Sequence, residues 1–464
     1  MQLSRFVVTY DSGQEDEHIL YNVLSDRYAG VNDATLELLR RFDAGELPTD
    51  HDEVEIAREL ESQGFVVEGR EVDDRRLREH LASVAQGIPG TMYVTLMPTL
   101  RCNLACTYCF QNEHPTFNSM EAETEEATLE FILRKVDEAA TPKLVVCYFG
   151  GEPLTRKDFV LRTAKVLHTS MAARGGTFGW EIITNGVNLD RPFVEELKRF
   201  GDGWIKITLD GDKETHDQAR VFHNGKGSFD VILANLAEVA SHVRLVIGGN
   251  YFPDQEESYM RLVQRLQDMG IASKLEGIGF KPVEDTVFKP AEDIAAAEKG
   301  SCAGCRSGAK EESESIVRIG RLLRKKNLGS TRNLVLDKNP APCELHWDNS
   351  FTVDPDGLVY KCPVVAGRSE VAVGSVSGGA LREAPLVELR PWEQCGDCAY
   401  LPICVGGCLG SQYLKTGRRD QVSCKKEVFE ATFRERIPRR YLEELGAAAW
   451  VSAQEAPPAG RDPH

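Results

Sequence analysis

The stretch Met92-Tyr-Val-Thr-Leu-Met-Pro-Thr-Leu-Arg-Cys102-Asn-Leu-Ala-Cys106-Thr-Tyr-Cys109 runs an apolar strand directly into a loop with three cysteines in a C-x3-C-x2-C spacing. Three thiolates on one short loop can hold three irons of a four-iron cube, leaving the fourth iron without a protein ligand. A zinc site would want a fourth Cys or His close by, and none is near. The strand begins a series. Further apolar strands are predicted at Lys143–Phe149, Trp180–Thr184, Trp204–Leu209, Val243–Asn250 and Ser273–Phe280. Amphipathic helical segments lie between them, at Glu121–Ala140, Pro192–Phe200, Ser228–Ser241 and Glu257–Met269. Six β/α units in a row predict a parallel sheet with right-handed crossovers. Six is too few for an eight-unit barrel, so the expected class is α/β with a curved, partial (β/α)6 barrel.

The polar groups of this series fall at the strand ends. The second strand ends in Gly150-Gly151-Glu152-Pro153, where glycines allow close backbone approach to a ligand and Glu152 can meet an ammonium group. The third ends at Thr184-Asn185-Gly186, the fourth at Thr208-Leu-Asp210-Gly211 with His216 and Arg220 following, and the fifth at Asn250. These four, with the cysteine loop after the first strand, lie at C-terminal strand ends, the face on which barrel enzymes build their sites. Asp210 reads either as a site residue or as a turn or helix-cap residue. His216 reads as a helix-surface histidine.

The chain has 464 residues, 42% of them hydrophobic, and a formal net charge of −17 at pH 7. That length accommodates two or three domains. The acidic balance argues against a nucleic-acid or anionic-membrane partner. Asp11, Glu15 and Asp16 break the N-terminus before a signal peptide could form, and no run reaches the roughly 18 apolar residues of a membrane span. A cytoplasmic location is expected, where thiols stay reduced. Of 13 cysteines, all but Cys147 fall within 102–109 or 302–424, an arrangement better suited to metal than to disulfides. Cys147, inside the apolar run Leu144–Phe149, reads as a small core residue.

The sequence resembles the radical S-adenosylmethionine (SAM) superfamily, in its peptide-modifying branch with a cysteine-rich C-terminal SPASM extension, from about Thr91 to Cys424. It is related in pattern to anaerobic sulfatase maturases and to SCIFF and sactipeptide maturases. The resemblance implies that Cys102, Cys106 and Cys109 hold the SAM cluster. The open iron would chelate SAM and pass it an electron, giving a 5′-deoxyadenosyl radical. Implied SAM contacts are Tyr108 at the adenine, Gly150, Gly151 and Glu152 at the methionine moiety, Thr184, Asn185, Thr208 and Arg220. Thr208 stands where relatives have Ser, and Arg220 keeps the twelve-residue spacing.

The C-terminal cysteines carry the same resemblance. Cys343 is followed by thirteen residues, Gly357, four residues and Cys362; then come Cys395-x2-Cys398-x5-Cys404-x3-Cys408 and Cys424. This implies two auxiliary [4Fe–4S] clusters, one on Cys395, Cys398, Cys404 and Cys424, the other on Cys343, Cys362 and Cys408. The fourth ligand of the latter departs from the pattern: either Cys302 or Cys305 reaches back to it, or its iron stays open to substrate.

The domains expected are a small winged-helix-like unit at 1–85, a radical SAM core at 91–285, a connecting region at 286–342, an irregular Cys-rich SPASM domain at 343–440 and a disordered tail at 454–464. The first unit, with strands at Phe6–Tyr10 and Ile19–Val23 and helices at Ala34–Phe42 and Asp52–Gln63, resembles the leader-binding element of many peptide maturases; its alternative is a structural cap. A basic helix at Ile316–Leu328 bearing Arg321, Arg324, Lys325 and Lys326 is a solvated face or a holder of acidic peptide. The expected activity is modification of a ribosomally made precursor peptide, by thioether or other cross-link, with a reducing partner such as flavodoxin or ferredoxin. Formylglycine formation and small-molecule cofactor synthesis are the alternatives on the same scaffold. An iron–sulfur electron carrier or peptide-binding scaffold is the non-enzymatic one.

Overall fold

The computed structural model describes residues 1–113, 117–252, 255–283, 309–326, 328 and 343–455. It divides into two compact units, one of 1–82, 395–405 and the chain from 425 on, the other of 83–394 and 406–424.

In the larger unit six parallel strands, β6 (Thr91–Leu96), β7 (Lys143–Tyr148), β8 (Thr177–Thr184), β9 (Asp202–Thr208), β10 (Arg244–Tyr251) and β11 (Leu275–Pro282), lie side by side in chain order. Helices Ala122–Ala139, Lys157–Ala173, Arg191–Leu197, Phe229–Val239 and Glu256–Asp268 follow successive strands. Alternation sorts the residues. Met92, Val94 and Leu96, Val146 and Tyr148, Ile182, Ile205 and Ile207, and Leu245 and Ile247 point outward into one continuous core under the helices. The intervening residues, among them Tyr93, Glu181, Lys206, Thr208 and Asn250, face the opposite side and remain partly exposed. The sheet thus has a dry outer face and a hollow, polar inner one.

Beyond β6 the sheet continues through β12 (Ser350–Val353), which pairs parallel with β6 as Ser350↔Tyr93 to Val353↔Leu96, and then through β13 (Leu358–Tyr360) and β14 (Gly374–Ser375), both antiparallel. The Cys-rich region is therefore less irregular than expected: its first part extends the barrel sheet to nine strands. Two- to four-residue strands with distant partners leave no periodicity to read.

The smaller unit holds a three-stranded antiparallel sheet, β2 (Val7–Asp11), β3 (His18–Asn22) and β4 (Arg27–Val31), with helices Asp33–Asp43 and His51–Ser62 capped by Asn32 and Asp50. Leu20, Val31, Leu38, Leu39, Phe42, Leu60 and Phe65 form the core on one face of the sheet. On the other, Tyr21 and Tyr28 stack, Phe433 of the helix Lys426–Glu455 meets Tyr21 edge-on at 5.7 Å, and Arg440 lies 5.1 Å over Tyr28. The third strand and this long C-terminal helix go beyond the sequence reading, while 456–464 lies outside the described residues. Both sheet faces are covered. Its two outer edges, on β2 and β4, pair with nothing further among the described residues.

Candidate functional site

Residues at the C-terminal ends of β6 to β10 build one constellation in the larger unit. The cysteine loop after β6 is strapped down on both sides. Ala105 N–H donates to the Val221 carbonyl at 2.7 Å and Thr107 N–H to the Ala219 carbonyl at 3.0 Å. Gly151 and Glu152 N–H donate to the carbonyls of Thr99 and Arg101, each at 2.9 Å. A Cβ on Gly150 would collide with the Thr99 carbonyl, and one on Gly151 with that of Arg101. The close approach these glycines permit is therefore to the chain's own backbone beneath the cysteine loop.

Glu152 is 1% exposed, with both oxygens engaged. Oε1 accepts from the Thr184 hydroxyl at 2.7 Å and Leu154 N–H at 2.9 Å; Oε2 accepts from Asn185 N–H at 2.7 Å. Burial nevertheless wins over these donors and raises its carboxyl above the ordinary range. Of the carboxylate's roughly four lone-pair positions, three are spent inside the protein, so the ammonium contact expected of Glu152 has little left to use. Asn185 in turn donates from its amide to Asn103 Oδ1 at 2.7 Å, within the cysteine loop.

Across the loop, Tyr108, Asp210, Arg220 and Asn250 form a second cluster. Tyr108 hydroxyl donates to Asp210 and accepts from Arg220 Nη1 at 2.7 Å and the Asn250 amide at 3.2 Å. Asp210 also accepts from Asn250 N–H at 2.7 Å and lies 3.6 Å from Arg220. Asp210 is thus a buried site residue; the helix cap at this turn is Asp212, which accepts from Thr215 N–H. Arg220 is 8% exposed, and its Nε is buried with no hydrogen-bond partner. The Thr208 hydroxyl makes no hydrogen bond among the described residues. A cavity of about 200 Å3, lined by Thr107, Asp210, Thr215, Gln218, Asn250 and Phe252 among others, opens here.

His216 overturns its surface reading: it is fully buried. Its Nδ1 accepts from Asp210 N–H at 3.2 Å, so Nε2 carries the proton and donates to Ser228 Oγ at 3.0 Å. Ser228 passes its own hydroxyl proton to the Arg220 carbonyl at 2.8 Å. A neutral imidazole thereby ties the two charged residues of the cluster together, and burial lowers its pKa to about 3. His223, absent from the sequence reading, meets the Cys102 carbonyl at 3.0 Å.

The thiols fit ligation of a cluster. Cys102, Cys106 and Cys109 lie close enough to raise one another, and burial pushes Cys102 up to about 12. A thiol so placed is a poor free nucleophile and gives its proton up to a metal instead. The orphaned Arg220 Nε offers a further donor to an anionic group beside this loop.

Residues 96–280 match the radical SAM superfamily. This is a radical SAM domain. At 31% identity over 164 residues, the chain resembles the Fe-coproporphyrin III synthase of Methanosarcina barkeri, covering 35% of this chain but only 37% of that one. At 23% over 368 residues, it resembles a cysteine-type anaerobic sulfatase-maturating enzyme of Clostridium novyi, covering 73% and 93%. Among solved structures, Streptococcus suis SuiB bound to precursor peptide SuiA shares the fold at a TM-score of 0.51 and 13% identity, over 92% of this chain and 99% of that one. Residues 96–280 thus form a radical SAM domain, which implies a [4Fe–4S] cluster and SAM, and the chain around it is similar to sulfatase-maturating enzymes.

Of the C-terminal cysteines, Cys343, Cys362 and Cys408 face one another in the larger unit; burial pushes Cys343 up to about 12 and Cys362 well above its usual value. Cys395, Cys398 and Cys404 sit together on one short segment of the smaller unit, where Cys398 N–H donates to the Cys395 carbonyl at 3.1 Å; Cys424 belongs to the larger unit. Cys302 and Cys305 lie outside the described residues. Cys147 is buried as expected, on the inner face of the barrel beside Tyr93. No helix among the described residues is long and apolar enough to cross a membrane.

Proposed function

We propose that this enzyme modifies a ribosomally made precursor peptide, forming a thioether or other cross-link, with Cys102, Cys106 and Cys109 holding the SAM cluster. The cluster, once loaded with SAM and reduced, supplies a radical able to take hydrogen from unactivated carbon. The chain's own residues bind and orient. Arg220, fixed by Tyr108 and Asp210, would direct its spare Nε–H at the SAM carboxylate. Thr208 would offer its hydroxyl beside it. Asn185 would hold the loop through Asn103. The Gly150–Gly151 turn would fix the backbone beneath the methionine moiety. Cys343, Cys362 and Cys408 would hold one auxiliary cluster, and Cys395, Cys398, Cys404 and Cys424 the other, to carry away the surplus electron or to position substrate.

One observation carries the peptide part. The smaller unit is a sheet whose two faces are covered and whose edges are open, which is how an extended peptide is accepted as an added strand. Formylglycine formation is less well supported, because the similarity to the sulfatase-maturating enzyme leaves about a quarter of this chain outside it. The test is cleavage of SAM to 5′-deoxyadenosine by the reduced, reconstituted protein, expected to vanish in Cys102→Ala. Unchanged cleavage in that variant would sink the assignment. Iron analysis should give about twelve irons per chain for three cubes. Protection of β2 or β4 amides from hydrogen exchange by the precursor peptide, or its absence, decides the docking.

A further inference from the structure

The hollow inner face of the barrel carries a cation that the site above does not use. Lys206 lies on β9 between Ile205 and Ile207, whose side chains fill the outer core, so its own projects into the barrel one inward step below Thr208. A Cβ on Gly248 would strike its Cε, so the lysine lies across bare backbone of β10. Beyond it, a Cβ on Gly279 of β11 would meet nothing within 4 Å, which marks open space on the same wall. Among the described residues the Lys206 ammonium has no hydrogen bond and no ion pair. The acids near this face, Glu181 and Glu344, gather instead at Tyr93 and Cys147, where the Tyr93 hydroxyl engages Glu181 at 2.7 Å. The groups that bear on Lys206 are a second cation, Lys281, and the Cys147 thiol. Burial and Lys281 lower its ammonium to about 8.

A buried charge without a partner costs free energy unless a ligand supplies the counter-charge. Two lysines on one inner wall, the second of them exposed, next to open space and with no carboxylate bearing on Lys206, select an anion. A carboxylate carried on a substrate that lies along the inner face supplies that counter-charge. We infer that Lys206, backed by Lys281, binds a carboxylate of the substrate on the inner barrel wall and so sets which residue stands before the reacting centre. On the peptide reading, on which this rests, that group is an Asp or Glu side chain or the chain's terminal carboxylate.

Lysine acylation of the reconstituted, SAM-loaded holoenzyme, read residue by residue by mass spectrometry, tests this. Exposed Lys165 serves as the reference. The probes are N-acetyl-glutamate α-amide, N-acetyl-glycylglycine and the neutral N-acetyl-glutamine amide. A carboxylate probe should slow acylation of Lys206 by 1 + [L]/Kd, about tenfold at ten times Kd, and leave Lys165 unchanged. Protection by the first probe alone assigns a side-chain carboxylate, by the second alone a chain end. Lys281→Gln should weaken the protection several-fold, and unchanged protection removes Lys281 from the site. Protection by neither carboxylate, equal protection by the glutamine amide, or a Lys206 that never reacts while Lys165 does, overturns the inference. Carboxylate protection would persist if the substrate were a small acid, whereas failure of the peptide reading appears separately, as absent exchange protection in the smaller unit.

Discussion

Two buried charges flank the same cysteine loop and are treated in opposite ways. Glu152 has Thr184, Leu154 and Asn185 on its two oxygens, whereas Arg220 has Tyr108 and Asp210 at one end and an Nε with no partner. They also feel each other, the arginine opposing the rise of the Glu152 carboxyl. A charge whose valences are spent internally builds the site. One left partly unspent waits for a ligand. On the proposed reading Glu152 builds the site from within and Arg220 meets SAM, a distinction between two residues that the sequence motifs treat alike.

The largest effect should fall on the scaffold. Glu152→Gln replaces one acceptor oxygen by an amide that faces a backbone N–H, donor against donor, in a pocket closed to water. It should cost about 2–4 kcal/mol, read as a lowered urea midpoint for the barrel. A midpoint within error of the parent would break the distinction. Arg220→Lys should do the reverse. It keeps a charge beside Asp210 but loses the planar fork, so stability should change little while the KM for SAM rises by roughly 10- to 100-fold, or about 1–3 kcal/mol. Loss of stability without a change in KM would move Arg220 to the scaffold.

Much of this was legible because it is local. The cysteine loop, the Gly-Gly turn and the polar strand ends depend on a few neighbouring residues and on a strand period that sorts faces without a structure. What escaped depends on distant chain. β4, Arg-Tyr-Ala-Gly-Val, has two residues poor at forming strands and is held by its pairing with β3. β12 exists because β6 is there to pair with. His216 sits on a polar seven-residue helix, and only the packing of Phe229 and Ser228 against it makes it interior. Lys206 is the exception. The alternation Ile205-Lys206-Ile207 already points it away from the core, and that signal could have found it.

His216 gives a smaller, pH-dependent test of the same contrast, since it links the backbones of Asp210 and Arg220. Its folded pKa, about 3, is below the unfolded value of about 6.5, so the unfolded chain binds the extra proton first. The stability it contributes is present above about pH 6.5 and falls by about 1.4 kcal/mol per unit as pH drops toward 3. His216→Asn keeps an acceptor for Asp210 N–H but removes the titration. The difference in stability between parent and variant should therefore shrink steadily from pH 7 to pH 4. A constant difference would mean that the ring is not held neutral.

The smallest effect should come from Thr208, whose hydroxyl has no partner among the described residues. If that hydroxyl meets SAM, as the Arg220 side of the comparison requires, Thr208→Ser keeps the donor and should leave KM near the parent value. Thr208→Val removes it at nearly constant volume and should raise KM by a factor of roughly 2 to 10, the worth of one neutral hydrogen bond. Neither change should lower stability, because nothing in the fold draws on the hydroxyl. A destabilised valine variant with an unchanged KM would assign Thr208 to the same internal duty as Glu152, and the unspent side of the site would then rest on Arg220 alone.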